Sequence, residues 1–266
     1  MSGPFITLTT DFAEDFFAGV IRGVIARING DARVVDLTHA VSPGDLRAGA
    51  FALLAGCRWF PRGTVHVVVV DPGVGSGRKI LCASTDDYCF IAPDNGILSW
   101  ALTREKNVTI YSVEERRFFL EPVSATFHAR DIFAPAAAHL TLGVRPEALG
   151  PALTRDRIVW IDFPEPVTGD KGELRGEVLY IDRFGNCITN LPAARVAELD
   201  PATLRIETGS LRLAGLRRSY ADEPEGTALA LVGSAGFLEI ATSMGSVAER
   251  FRLEVGDPVT LSVARD

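Results

Sequence analysis

The sequence predicts an α/β protein in two parts: an N-terminal α/β domain with a mostly parallel sheet over residues 1–160, then a smaller C-terminal all-β barrel over 173–266. Three observations carry this. In the first part, short apolar runs alternate with segments of helical spacing, the pattern of strands crossed over by helices. After about residue 160 the helical spacing stops, and short strand-like runs follow one another between turn residues. Between the two lies PEPVTGDKGE (164–173), rich in Pro, Gly and charge, which places a linker at 161–172.

FITLTTD predicts a first strand ending at Asp11. Phe16, Phe17, Val20, Ile21, Val24, Ile25 and Ile28 then recur at helical spacing, with Arg22 and Arg27 on the opposite side. VVDLTH is a second strand, and Pro43 opens a helix, GDLRAGAFALLAGCRWF, closed by the Pro-Arg-Gly turn at 61–63. VHVVVV is the third strand, with KILCAS and YCFIAP shorter ones. NGILSWAL reads as a helix, VTIYSV as a strand, and ARDIFAPAAAHLTLG as an Ala-rich helix ending at Gly143. The second part offers LRGEVLYID, CITNL, TLRIET, LRLAGL, ALALVG, FLEIAT and DPVTLSVA as strands.

Nearly half the residues are hydrophobic, enough for a sizeable core, and no low-complexity tract suggests disorder. A net charge of −7 argues against nucleic-acid binding by phosphate neutralisation. No stretch approaches the roughly 18 apolar residues of a membrane span, and MSGPFITLTTD lacks the basic and apolar regions of a secretory leader. Cys57, Cys82, Cys89 and Cys187 lie in apolar segments without C-x-x-C spacing, which fits buried thiols in a reducing cytoplasm. The expectation is a soluble cytoplasmic protein with no membrane or nucleic-acid partner.

Four valines run into Asp71 in VVVVDPGVGSGRK, and Arg78 closes the glycine-rich turn. A phosphate loop would need Lys then Ser or Thr after Gly77, and a dinucleotide loop a third glycine where Arg78 stands. Asp71 and Asp11 both end strands, where open α/β sheets place ligands. Asp11 could cap the next helix or hold two adjacent hydroxyls, as acidic residues hold a ribose diol. His128, in TFHARDIF, precedes an apolar helix with Arg130 and Asp131 beside it. His39, His128, Asp131 and His139 are conceivable metal ligands, but no metal-site spacing supports them, so no metal is expected. In YIDRFGNCITN the polar Asp182, Arg183, Asn186 and Asn190 interrupt strands, and Phe184-Gly185-Asn186 is a turn able to present Phe184 to a flat ring. Ser234, Glu239 and Ser243 sit near similar turns in LVGSAGFLEIATSMGS.

Taken in order, TTDF (9–12), DPGVGSGR (71–78), IAPDNGIL (91–98), TFHARDIFAPAAAHL (126–140), IDRFGNCITNL (181–191) and GSAGFLEIA (233–241) resemble the S-adenosylmethionine (SAM) hydroxide adenosyltransferases, relatives of fluorinase and chlorinase. The resemblance covers nearly the whole chain. It implies an α/β domain followed by a β-barrel, and a homotrimer with each site between the first domain of one subunit and the second domain of the next. It also implies hydrolysis of SAM to adenosine and L-methionine by attack of water at the ribose C5′, without a cofactor. By the same resemblance, Asp71, Arg78 and His128 position and activate the water, with either Asp71 or His128 accepting its proton, and Asp11 holds the ribose diol. Asp182 and Ser234 match groups around the amino and carboxylate ends of the methionine. Asn186 faces the adenine edge, Phe184 and Tyr220 pack on the ring, and backbone near Ser243 and Met244 reads the base. Asn95 lies in the turn beside the ribose, and Glu239 stands among the substrate-binding candidates.

The chain departs from the halogenating relatives. By the same resemblance, Asp71 stands where they have an aromatic or small residue, and Ala129 where fluorinase has a halide-binding serine. STDDYCF is short where fluorinases carry an insertion. A fixed negative charge at residue 71 repels a halide and suits water. Hydrolysis is therefore expected over halide transfer. A non-catalytic SAM or adenosine sensor is the other alternative. A methyltransferase would want a glycine loop after the first strand, where this chain has TTDFAED.

Overall fold

The computed structural model describes residues 3–200 and 203–263, so residues 201–202 and 264–266 of the second predicted domain lie outside the described residues. The chain divides into two compact units, Met1–Asp162 and Phe163–Asp266.

The first unit runs β1 (Phe5–Thr10), α1 (Phe17–Ile28), β2 (Arg33–Thr38), α2 (Leu46–Gly56), β3 (Val65–Val69), β4 (Ile80–Ser84), β5 (Cys89–Pro93), α3 (Ser99–Leu102), β6 (Thr109–Ser112), α4 (Ala134–Thr141) and β7 (Ala152–Leu153). The apolar spacing at 17–28 forms α1, which buries Ala18, Ile21, Val24 and Ile25. Asp45, not Pro43, starts α2: its side chain accepts from Ala48 N at 2.9 Å, meeting one of the first-turn N–H groups that the helix cannot satisfy itself. NGILSWAL yields only the four-residue α3.

The sheet order is β2-β1-β3-β5-β4-β6-β7. The pairs β1–β2, β1–β3 and β3–β5 are parallel, whereas β4–β5, β4–β6 and β6–β7 are antiparallel. The sheet is mixed, and the expectation of a mostly parallel one is wrong. The reason is connection length. Only residues 85–88 join β4 to β5, too few for the helical crossover that parallel strands need. Thr85 closes that hairpin, its hydroxyl accepting from Asp87 N and Tyr88 N. The β3 strand, VHVVV, is buried throughout, as a strand covered on both faces must be. Its side chains join those of α1 and α4 in one core with Phe133 and Ala134.

The second unit runs β8 (Val167–Thr168), β9 (Leu174–Ile181), β10 (Cys187–Pro192), α5 (Ala193–Val196), β11 (Leu204–Thr208), β12 (Leu211–Ala214), β13 (Ala228–Val232), β14 (Phe237–Thr242), α6 (Val247–Phe251) and β15 (Pro258–Val263). All seven strand-like runs form strands. They make a nearly closed, barrel-like antiparallel sheet in the order β12-β11-β15-β9-β10-β14-β13, with β8 paired to β9. Alternation puts Leu204 and Ile206 of β11 inside and Arg205 and Glu207 outside. The enclosed core includes Val178, Leu191, Leu238 and Leu261.

Candidate active site

Asp11 and Asp71 follow neighbouring parallel strands, since Thr10 of β1 pairs with Val69 of β3. The turn after β3 folds tightly, with Val74 N donating to Asp71 O and Ser76 N to Gly73 O. Gly75 adopts φ +78, and a Cβ there would stand 2.2 Å from the Ala125 carbonyl oxygen. Only glycine lets this turn lie against the 124–127 segment. That segment is pinned in turn, because Asp131 Oδ2 accepts from Ser124 N at 2.8 Å while Arg130 grips both Asp131 oxygens at 2.6 and 2.9 Å. His128 leads into a π-turn at Ala129–Phe133, an irregularity that recurs at functional sites.

These contacts bring Arg78 to both Asp71 and His128. Arg78 Nε donates to Asp71 Oδ1 at 2.7 Å, Nη2 donates to Asp71 Oδ2, and Nη2 also lies 3.1 Å from His128 Nδ1. Its guanidinium sits over the Phe133 ring, 5.7 Å from the centroid. Burial, and then the Arg78 charge, hold the His128 imidazole below its ordinary 6.5, so the ring is neutral at pH 7. Arginine is a donor only, so Nδ1 must accept, and the proton of a neutral ring then rests on Nε2. Burial alone would raise the Asp131 carboxyl, but Arg130, the Ser124 N–H and His128 pull it below 3.8.

A cleft of about 360 Å³ opens over this set, lined by Asp11, Asp71 and His128 together with Phe12, Gly44, Thr126 and Phe127. Arg78 does not line it. It stands behind Asp71 and His128, orienting both. Asp11 is not a helix cap, since α1 begins at Phe17 without a side-chain cap; its Oδ2 accepts from Gly44 N at 2.9 Å.

The second unit has a cleft of about 650 Å³ lined by Asp182, Phe184, Asn186, Tyr220, Thr242, Met244 and Ser246. Asp182 organises the β9–β10 turn, accepting from Phe184 N (2.8 Å), Asn186 N (2.9 Å) and Asn186 Nδ2 (3.0 Å). Phe184 and Met244 are exposed. Ser219 and Asp222 form a reciprocal cap around the turn that carries Tyr220. The Tyr220 hydroxyl donates to buried Glu239, which lies behind the cleft wall. Burial raises the Glu239 carboxyl, the Tyr220 bond opposes this, and Asp182 adds to it. Burial and then Glu239 raise the Tyr220 phenol.

Besides Arg78 and Glu239, the sequence candidates Asn95, Ser234 and Ser243 line neither cleft. Asn95 brackets two strand ends, its Nδ2 donating to Val70 O at 2.8 Å and its Oδ1 accepting from Ile97 N at 3.2 Å. Ser234 is exposed between β13 and β14. Ser243 is buried, with its N–H donating to Thr227 O and its carbonyl accepting from Gly226 N. The conceivable metal ligands stay dispersed. His39 contacts Thr10 and Asp36, His139 packs on the Phe118 ring, and the described residues contain no group of three His, Cys, Asp or Glu able to hold a metal.

Sequence reasoning missed Gly44, Thr126, Phe127 and Ser246. Thr126 and Phe127 stand inside TFHARDIF, and Ser246 carries the Ser-x-x-Glu cap pattern, its Oγ accepting from Glu249 N at 3.0 Å.

The profile of the SAM hydroxide adenosyltransferase N-terminal domain matches residues 6–150, and that of the SAM hydroxide adenosyltransferase C-terminal domain matches residues 176–260. The chain belongs to the SAM hydroxide adenosyltransferase family. Its similarity to the (R)-S-adenosyl-L-methionine hydrolase of Thermus thermophilus is 39% identity over 269 residues, covering 95% of this chain and 97% of that protein. A fluorinase from Actinoplanes is more distant, at 26% identity over 296 residues with 98% of each chain covered. The crystal structure of an uncharacterized conserved protein from Thermotoga maritima superposes with TM-score 0.89 at 35% identity, covering 97% of this chain and 99% of that one. The N-terminal match holds the Asp71–Arg78–His128 set, and the C-terminal match holds Asp182, Asn186 and Tyr220.

Proposed function

We propose that the protein is a SAM hydrolase converting SAM and water to adenosine and L-methionine. The observation that carries this is the single hydrogen-bonded set of Asp71, Arg78 and His128 beneath a cleft, in a chain 39% identical to a curated SAM hydrolase. The sulfonium is already a good leaving group, so the site needs to orient a water in line with the C5′–S bond and take its proton. Water oxygen attacks C5′, the C–S electron pair returns to sulfur as the neutral thioether of methionine, and one water proton must leave. The one acceptor lone pair of the His128 ring, on Nδ1, is taken by Arg78, whereas each Asp71 oxygen keeps a second lone pair beside its Arg78 bond, so Asp71 is the acceptor left to the pair. A weak base suffices, because the water protons become strongly acidic as the C–O bond forms. Nε2–H of His128 then orients the water oxygen. The Asp71 charge disfavours a halide in this place, which favours hydrolysis over halogen transfer.

In this reading Asp11 receives the ribose diol, Asn186 the adenine edge, and Phe184 and Tyr220 the ring, while Asp182 and Ser234 hold the methionine end. The exposed Phe184 and Met244, 76% and 81% accessible, support a homotrimer in which the second domain of one subunit completes the cleft on the first domain of its neighbour. No cofactor enters the reaction. No helix among the described residues is long and apolar enough to cross a membrane, and the free cysteines fit the cytoplasm as the working compartment.

The test is to incubate purified protein with SAM and EDTA and follow adenosine by chromatography. Wild type releases adenosine and Asp71→Ala nearly none. Tight adenosine retention without turnover would instead identify a sensor, and unchanged turnover in Asp71→Ala would remove the mechanism.

A further inference from the structure

His39, at the end of β2, is not used by the mechanism, yet it makes more polar contacts than a filler residue needs. We propose that His39 is a positioning residue for ribose: it holds the Thr10–Ala13 turn so that the Asp11 carboxylate stays aimed at a vicinal diol. This rests on the reading of Asp11 as the diol ligand.

The turn is tied to His39 on both sides of Asp11. Thr10 Oγ1 shares a 2.8 Å hydrogen bond with His39 Nδ1, and the same oxygen accepts from Phe12 N at 3.2 Å. The His39 carbonyl accepts from Ala13 N at 2.8 Å. Ala13 has φ +53, a left-handed conformation that a non-glycine residue keeps only when its surroundings impose it. Asp11 itself is tethered at one oxygen, by Gly44 N, and its Oδ1 has no partner among the described residues. The direction of the carboxylate is therefore set by the backbone that His39 grips.

The imidazole is held in turn. Its Nε2 lies 3.1 Å from Asp36 Oδ1 and 3.4 Å from Arg22 Nη2, and Arg22 also binds both oxygens of Asp36. The order hydroxyl, imidazole, carboxylate resembles a nucleophile triad, but Thr10 is fully buried and its oxygen serves the backbone. The network therefore acts on Asp11 and not on a substrate carbon.

The experiment is calorimetry of the full-length protein with adenosine and with 2′,3′-dideoxyadenosine, which lacks both hydroxyls. His39→Ala is expected to weaken adenosine about tenfold and leave the dideoxy ligand unchanged. In turnover, KM rises by a similar factor while kcat stays within about twofold. His39→Asn, which keeps a nitrogen near the Nδ1 position, restores most of the adenosine affinity. Asp36→Asn, which leaves His39 in place, shifts adenosine affinity in the same direction by less. An equal loss for both ligands, or unchanged adenosine binding in His39→Ala, overturns the proposal. Wild-type protein that binds neither nucleoside overturns the SAM reading itself. Wild type that binds both equally removes Asp11 as diol ligand.

Discussion

Arg78 engages both carboxylate oxygens of Asp71 in a two-pronged pair, and the two side chains are only 9% and 6% exposed. The Nη2 that closes this pair also reaches His128. The positions of two side chains, Asp71 and His128, therefore depend on one guanidinium, and the effects of changing them will not add.

The first prediction concerns that pair. Arg78→Met leaves a buried carboxylate unpaired and should cost about 3–5 kcal/mol of stability. The double variant Asp71→Asn/Arg78→Met should lose less than the two single changes together. Arg78→Lys keeps the charge but cannot form the planar fork, and turnover should fall about a hundredfold. Chemical denaturation of wild type, Asp71→Asn, Arg78→Met, the double variant and Arg78→Lys, with adenosine release measured in parallel, checks both parts.

The second concerns acid. Burial pushes His66 from 6.5 to about 3, and burial with Arg78 pushes His128 down as well. A histidine lowered in the fold binds its proton more readily when unfolded. Its share of stability is complete above 6.5 and is lost as pH falls toward the folded value. His66→Asn is expected to be less stable than wild type near neutrality, because ring contacts with Phe90 and Tyr88 are lost. The gap should narrow as pH falls below 6.5, since the variant lacks that titration. Melting temperatures across this range test the sign.

Much of the fold was legible because its strands are long apolar runs. The VHVVVV stretch could only be a strand buried on both faces, and its end placed Asp71 at the ligand edge. The sheet's mixed character was hidden because the turn at 85–88 looks no different from a loop leading into a helix. Asp71, Arg78 and His128 were nameable from their motifs, but the position of Arg78 behind the wall was not. It depends on Gly75 contacting Ala125, a meeting of segments fifty residues apart that no local pattern encodes. Asn95 was less legible, because an asparagine after a strand serves equally well as a ligand or as a bracket, and its side-chain amide here holds the Val70 carbonyl.

The third prediction tests that meeting. Gly75→Ala places a methyl on the Ala125 carbonyl and forces a left-handed residue, so the turn must shift. A loss of about 1–3 kcal/mol is expected. Turnover should fall more than stability alone explains, because the shift separates Arg78 from His128. Gly77→Ala, in the same turn but with nothing within 4 Å of the added methyl, is the control. Urea midpoints beside adenosine release distinguish the two effects.

The fourth concerns the second unit. Glu239 is buried, and its carboxyl is raised above 4.5 by burial and by Asp182 against the opposing Tyr220 hydrogen bond. An acid raised in the fold contributes stability that is present below its unfolded value and lost as pH rises through the folded one. Glu239→Gln cannot ionise, yet its amide oxygen can still accept from Tyr220. The difference in melting temperature, variant minus wild type, should therefore grow with pH and vanish or reverse near 4.5. Tyr220→Phe should do the opposite. It removes the donor that stabilises the ionised carboxylate, so its destabilisation deepens as pH rises above that range. A difference between Glu239→Gln and wild type that is flat from acid to alkali would show that Glu239 ionises as freely in the fold as in the open chain.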